Sequence, residues 1–230
     1  MKIIVNSMTK PEIIKGLKRY GFDVYKAPIN PNLPEPVNTH PDMQISFFDG
    51  IAVCDPELKE YYDGIFKNSS VNVFSGNTKT QGNYPWDIAY NIKVVGNNVF
   101  HNFRYTDGVV TEKLKGRNFV NVSQGYSGCS ISAVGQNAII TADKAICDRA
   151  QENGLDALLI SNKNIVLEPY EYGFIGGASF FCDNTVYFFG DISTHPDYSN
   201  IHSFCKVRGT KIVSLCDGEL FDYGSAFTFE

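Results

Sequence analysis

The stretch Cys129-Ser130-Ile131-Ser132-Ala133-Val134-Gly135-Gln136-Asn137-Ala138-Ile139-Ile140-Thr141-Ala142-Asp143 decides how the chain is read. Cys129 to Val134 and Ala138 to Ala142 are two short apolar runs around a glycine-containing turn, the pattern of a β-hairpin. Asp143 follows the second run and can accept hydrogen bonds from the orphan N–H groups that open a helix over Lys144 to Glu152. Asn153-Gly154 closes that helix, because glycine adopts the left-handed backbone of a helix end without a Cβ penalty. Leu155 to Ser161 then returns as a largely apolar strand. The unit is strand, strand, helix, strand.

Outward from this unit the same order recurs. Met43 to Phe48 and Ile51 to Val53 flank the turn Asp49-Gly50, with a helix after Pro56 and a strand from Val71 to Gly76. Ile88 to Val94 and Asn98 to Phe103 flank Gly96-Asn97, followed by a short helix over Thr106 to Leu114 and a strand over Phe119 to Ser123. Ala178 to Cys182 and Thr185 to Phe189 flank Asp183-Asn184, with a helical stretch and then Lys211 to Leu215. The first unit has only Lys2 to Asn6, a helix ending at Gly21 and the strand Asp23 to Ala27, so it lacks the opening strand of a hairpin. The tail Leu220 to Glu230 carries a spare alternating strand, Ala226 to Phe229. Between the first and second units, Pro28 to Pro36 holds four prolines and reads as an extended connector. Strand ends at Asn6, Asp55, Asp107, Asp143 and Asp191 recur at roughly 46 residues, a repeat-array period. An open row would leave sheet edges unpaired, so the expectation is an α/β fold of five units closed into a ring, one domain over residues 1–230, with the tail beside Lys2 to Asn6.

At 230 residues, 43% of them hydrophobic, and with a mean hydropathy of −0.17, the chain can bury a sizeable core. A formal charge of −5 and the lack of a basic run with interleaved aromatics argue against nucleic acid and anionic membranes as partners. The N-terminal apolar run is too short for a signal-peptide core, and no later run spans a bilayer. Six cysteines, with no Cys-x-x-Cys pair, read as free thiols of a cytoplasmic protein, five of them as small core residues.

Five such units in a ring resemble the pentein fold, the five-bladed α/β propeller of guanidino-group modifying enzymes such as arginine deiminase, agmatine deiminase and dimethylarginine dimethylaminohydrolase. In that family a His-x-Asp stands at the entrance of one unit, and His40-Pro41-Asp42-Met43-Gln44 is similar in residues and place. A nucleophilic cysteine follows a small, glycine-rich run two units on, and Gln124-Gly125-Tyr126-Ser127-Gly128-Cys129 is similar in both respects. The resemblance implies Cys129 as nucleophile, His40 as general acid and base, and Asp42 as a carboxylate for a planar cation, since paired charge-assisted hydrogen bonds suit a guanidinium. The family also places acids at other entrances. Phe174-Ile175-Gly176-Gly177-Ala178-Ser179 has none, which leaves Glu171 as the nearest, and Asp222-Tyr223-Gly224-Ser225-Ala226 is a looser match for the other. Trp86, near a strand entrance with several tyrosines, completes the candidate substrate-binding set with Asp222 and Glu171. The implied substrate is a small guanidine or amidine attacked at a C–N bond. The family includes a non-catalytic member, so a module that binds a ligand or protein partner is the alternative.

Thr194-His195-Pro196-Asp197 repeats the tetrapeptide around His40, but it falls where the other units place their helices and reads as a helix N-terminus. The histidine and cysteine spacings match no tight zinc motif, and no dinucleotide or Walker-type loop occurs, so neither a metal nor a cofactor is implied. The sequence says nothing of the oligomeric state.

Overall fold

The computed structural model describes all 230 residues, in five three-stranded mixed sheets and one two-stranded sheet. Four of the five three-stranded sheets have the same construction, an antiparallel hairpin whose second strand pairs in parallel with a strand returning after a helix, and the remaining one takes its antiparallel strand from the tail. In the stretch quoted first, Ile131–Ala133 pairs antiparallel with Ala138–Thr141, and the helix Lys144–Glu152 carries the chain to Asp156–Leu159, parallel to Ala138–Thr141. Ile45–Phe48, Ile51–Cys54 and Asn72–Ser75 repeat the arrangement, as do Lys93–Val95, Asn98–His101 and Asn118–Asn121. Ser179–Cys182, Thr185–Phe188 and Lys211–Ser214 form another. The tail strand Phe227–Phe229 pairs antiparallel with Lys2–Val5, in the register Lys2 to Phe229 and Ile4 to Phe227, and so supplies the strand that the first unit lacks. Type I′-like turns explain two of the hairpins. Asp49 and Gly50, like Asp183 and Asn184, have positive φ, which Asp, Asn and Gly tolerate best.

The core is divided in step with the sheets. Ile4, Ile45, Ala52 and Phe229 pack between the first and second sheets, and Phe48, Val53, Tyr90 and Val99 between the second and third. Phe100, Val120 and Ile139 join the third to the fourth, and Ile140, Val186 and Phe188 join the fourth to the fifth. Ile3, Val5, Phe180, Tyr187 and Phe189 then join the fifth sheet to the first. Every sheet therefore buries both faces against neighbours, which is why the central strand of each reads as a continuous apolar run.

Acidic residues at the ends of central strands bind the layers together. Asp55 accepts from Glu57 N at the next helical turn, and also from the Thr80 backbone N–H and hydroxyl. Asp107 accepts from Val109 N and, across the chain, from Asn77 N and Thr78 N. Asp143 caps its helix through Ile146 N, as the sequence predicts. No helix is long and apolar enough to cross a membrane.

Three local expectations differ. Pro41–Gln44 and Ser127–Ser130 are single helical turns rather than the first residues of strands. Of Ile88 to Val94, only the end is a strand, Lys93–Val95. Leu220–Phe221 pairs in parallel with Ile165–Val166, a ladder that four alternating residues do not announce.

Candidate active site

The two short helical turns lie at sheet entrances and present the first site residues. Pro41 is suited to a first turn because its missing N–H would be unpaired there, and it leaves His40 in extended conformation just ahead of the turn. Ser127–Ser130 instead carries Cys129 within its own single turn. The two turns are locked together by Asn91. Its Oδ1 accepts from Gly128 N at 2.7 Å and Cys129 N at 3.3 Å, while its Nδ2 donates to the Asp42 carbonyl at 3.1 Å and to Cys129 Sγ at 3.3 Å. A fourth entrance, after Leu220–Phe221, closes on the same point. The Asp42 backbone N–H donates to the Gly224 carbonyl, and Gly224 has φ +69°, with no room for a Cβ against His40 and Asp42. The fifth entrance supplies Gly177, whose N–H donates to the Cys129 carbonyl. A Cβ at Gly177 would run into the Asp222 carboxylate, so a side chain there and Asp222 exclude each other. An acid at position 177 is therefore excluded while Asp222 occupies this place.

The chemistry-bearing atoms converge. Donor atoms of His40, Asp42 and Cys129 lie within 4.8 Å of one another. The Cys129 thiol donates to Asp42 Oδ2 at 3.0 Å, and His40 Nδ1 lies 3.9 Å from Asp222 Oδ1 with no hydrogen bond of its own. Asp222 is held by the Phe174 and Gly224 backbone N–H groups, and Asp42 Oδ1 has no partner. All four side chains are buried.

Burial dominates the electrostatics. It pushes His40 down to about 3, so the imidazole is neutral at physiological pH. It pushes Asp42 up to about 6, opposed by the Cys129 hydrogen bond and by the charge of Lys93, and it pushes Asp222 up to about 7, reinforced by Asp42. The Cys129 thiol is raised well above its ordinary value by burial and then by Asp42 and Asp222. The site thus holds a protonated thiol, a neutral imidazole and two carboxyls of reduced acidity. A cation entering it would bring Asp42, Asp222 and Cys129 back down by supplying the missing positive charge, and would keep His40 neutral.

His40, Cys129, Asp222 and Glu171 line one cavity of about 510 Å³. Asp42 lies behind Cys129, on a separate and smaller cavity with Lys93. Trp86 is 53% exposed, packs edge-on to Tyr105 and does not line the main cavity. His195 is elsewhere, its Nδ1 accepting from Asp197 N and its Nε2 against the Ser161 carbonyl. Two lining or bracing residues are absent from the sequence reading, Asn91 and Asp87. Asn91 falls in the segment read as strand, and its polar side chain within the apolar run Ile88-Ala89-Tyr90-Asn91-Ile92 is the signal that marks it, whereas Asp87 lies just ahead of that run. His40, Asp42 and Cys129 also have the donor types and spacing from which a divalent ion can be held.

The sequence matches, over residues 4–227, the family described as "Family of unknown function (DUF6873)". No curated protein matches it. In structure it is similar to dimethylarginine dimethylaminohydrolase from Pseudomonas aeruginosa complexed with citrulline, with 10% identity, a TM-score of 0.56 and coverage of 93% of this chain and 91% of that one. It is similar to agmatine deiminase from C. jejuni with substrate bound, at 11% identity and a TM-score of 0.56 over 100% and 92% of the two chains. An amidinotransferase from Microseira wollei in the saxitoxin biosynthetic pathway aligns at 10% identity and a TM-score of 0.54 over 93% and 87%. These likenesses give the chain the fold of the pentein superfamily.

Proposed function

Because the chain belongs to the DUF6873 family and has the pentein fold, we propose that it is a cysteine-dependent enzyme acting on a C–N bond of a small guanidine or amidine. In this reading residues 1–230 are one domain, its five sheets close a ring through the pairing of Phe227–Phe229 with Lys2–Val5, and the cavity opens at one end of the ring axis. The observation that carries the proposal is the convergence of Cys129, His40, Asp42 and Asp222 from three different sheet entrances on one point. Separate repeats gain nothing in stability from burying two carboxyls and a histidine together with His40 Nδ1 and Asp42 Oδ1 left unpartnered. The cost is of order a few kcal/mol for each group.

The steps follow from the geometry. A planar cation in the cavity meets Asp222, and its charge draws the Cys129 proton away towards Asp42 and His40. The thiolate attacks the amidino carbon, and the C=N electrons move onto nitrogen. Collapse of the tetrahedral adduct breaks a C–N bond, and His40 donates the proton to the departing nitrogen. Asp222, 3.9 Å from His40 Nδ1, stabilises the imidazolium while it exists. Water deprotonated by His40 then attacks the same carbon and displaces Cys129, which takes back a proton. Net, water adds across the C–N bond and an amine or ammonia leaves.

Unpaired thiols at all six cysteines support a reducing compartment such as the cytoplasm. The raised Cys129 thiol favours the second reading, a cavity that binds a cation without attacking it. Incubation with a panel of guanidines separates the two. The enzyme reading predicts release of ammonia or amine that Cys129→Ser abolishes, whereas binding with no product from any guanidine supports the second reading.

A further inference from the structure

The cavity has room for more than an amidino group, since about 510 Å³ is the volume of a site for a drug-sized ligand. What lines the remainder defines the rest of the substrate. Its charged side chains are acids, Asp87 and Glu171 in addition to Asp222, beside the neutral His40. No lysine or arginine lines the wall to pair a carboxylate.

Asp87 is the informative one. It is 2% exposed, yet only one of its carboxylate oxygens is satisfied: Oδ2 accepts from the Tyr126 hydroxyl at 2.7 Å, and Oδ1 is buried without a partner. A buried acceptor left unpaired costs free energy unless a ligand or water completes it. Burial pushes its carboxyl up, as expected of a group awaiting positive charge. Tyr126 joins Asp87 to an aromatic wall. Its ring lies 5.7 Å from that of Tyr84 and 6.3 Å from that of Phe174, which in turn lies 6.2 Å from Tyr172. Such faces attract cations and repel anions. Glu171 is exposed at the edge of the same cavity.

We infer that Asp87, with the Tyr126 hydroxyl and the aromatic wall, is a second cation subsite, and that the substrate carries a basic amine, not a carboxylate, at the end remote from the reacting group. This rests on the catalytic reading above and adds the substrate class to it. The amine donates to Asp87 Oδ1 while the amidino end lies at Cys129. Amino acids bearing a guanidino side chain are disfavoured, because their carboxylate would face acids and aromatic faces.

The test compares three guanidines that share one alkyl chain, aminobutylguanidine, butylguanidine and guanidinobutyrate, by calorimetric titration of the full-length Cys129→Ser protein. The expected order is aminobutylguanidine tighter than butylguanidine by about tenfold, a charge-assisted hydrogen bond's worth, with guanidinobutyrate weakest. In Asp87→Asn, which keeps an oxygen for Tyr126, the advantage of the amine falls to about threefold or less, the range of a neutral hydrogen bond. The ranking on the Cys129→Ser protein needs no second variant, so it remains decisive even if Asp87→Asn does not fold. Guanidinobutyrate binding as tightly as the amine, or an amine preference that survives Asp87→Asn, overturns this inference alone. Failure of all three to bind overturns the catalytic reading and this inference with it.

Discussion

Without a cation, Cys129 and His40 are neutral by the same cause, loss of water around each, and Asp42 and Asp222 are drawn towards neutrality with them. The folded-state value of Asp222 lies above the unfolded one, so the folded chain holds a proton where the unfolded chain has released it. The stability this gives is complete below pH ~4 and is lost as the pH rises through about 7. His40 runs the other way: its folded value is depressed to about 3, and the stability it gives above its ordinary 6.5 is lost as the pH falls towards 3. Asp222→Asn should therefore gain on the wild type between about pH 4 and pH 8, by an order of 2–4 kcal/mol. Urea melts of both proteins at the two pH values check this, and a pH-independent difference would place the carboxylate in a wetter site than the structure shows. A second residue, Asn91, holds the turns of His40 and Cys129 together. Asn91→Ala removes the side-chain acceptor of Cys129 N and the donor to the Asp42 carbonyl and Cys129 Sγ, while Gly128 N keeps the Asn91 carbonyl, and should cost about 1–3 kcal/mol in the same melts.

Repeated elements were legible wherever a turn or cap has a residue signature. Asp49-Gly50 and Asp183-Asn184 mark hairpins because few residues accept positive φ in succession, and Asp143 marks its helix because a carboxylate answers orphan N–H groups. The single turns Pro41–Gln44 and Ser127–Ser130 were not legible, since four residues are too few to show a helical period. Their His40 and Cys129 stand out only through the resemblance of His40-Pro41-Asp42 and Gly128-Cys129 to the pentein motifs. Long-range bonds of the strand-end acids left no sequence trace at all. Asp55 binds Thr80, and Asp107 binds Asn77 and Thr78, through loops with no periodic pattern. The caps should consequently differ in weight. Asp143→Ala loses one cap bond, about 1 kcal/mol. Asp55→Ala and Asp107→Ala each strand several buried donors and should lose on the order of 3 kcal/mol or more. Equal losses at the three positions, read from denaturant midpoints at constant slope, would contradict the bracing role.

For the whole molecule, the pairing of the tail with Lys2–Val5 was readable from bookkeeping, because one unit lacked a strand and the tail had one to spare. The acid missing from Phe174 to Ser179 was readable only as a gap, and at position 177 the structure shows that Asp222 fills the space a side chain would need. Deleting residues 226–230 removes Phe229 from the core between the first and second sheets as well as a ladder. It should abolish amide protection at Ile3 to Val5 and lower the melting temperature; unchanged exchange there would contradict closure of the ring. The fold gathers side chains from separate units around Cys129, and the proposed function turns on the charge state of that gathering. The most direct measurement is alkylation of the native protein by a cationic haloacetamidine and a neutral haloacetamide across a pH series, with the labelled cysteine identified by peptide mass. The account predicts that the amidine reagent modifies Cys129 ahead of the other five cysteines and faster than the neutral reagent does, because its charge lowers the thiol pKa within the site, and that His40→Ala slows it near neutral pH. A Cys129 that is inert to both reagents, or that reacts with them at equal rates unaffected by His40→Ala, would contradict it.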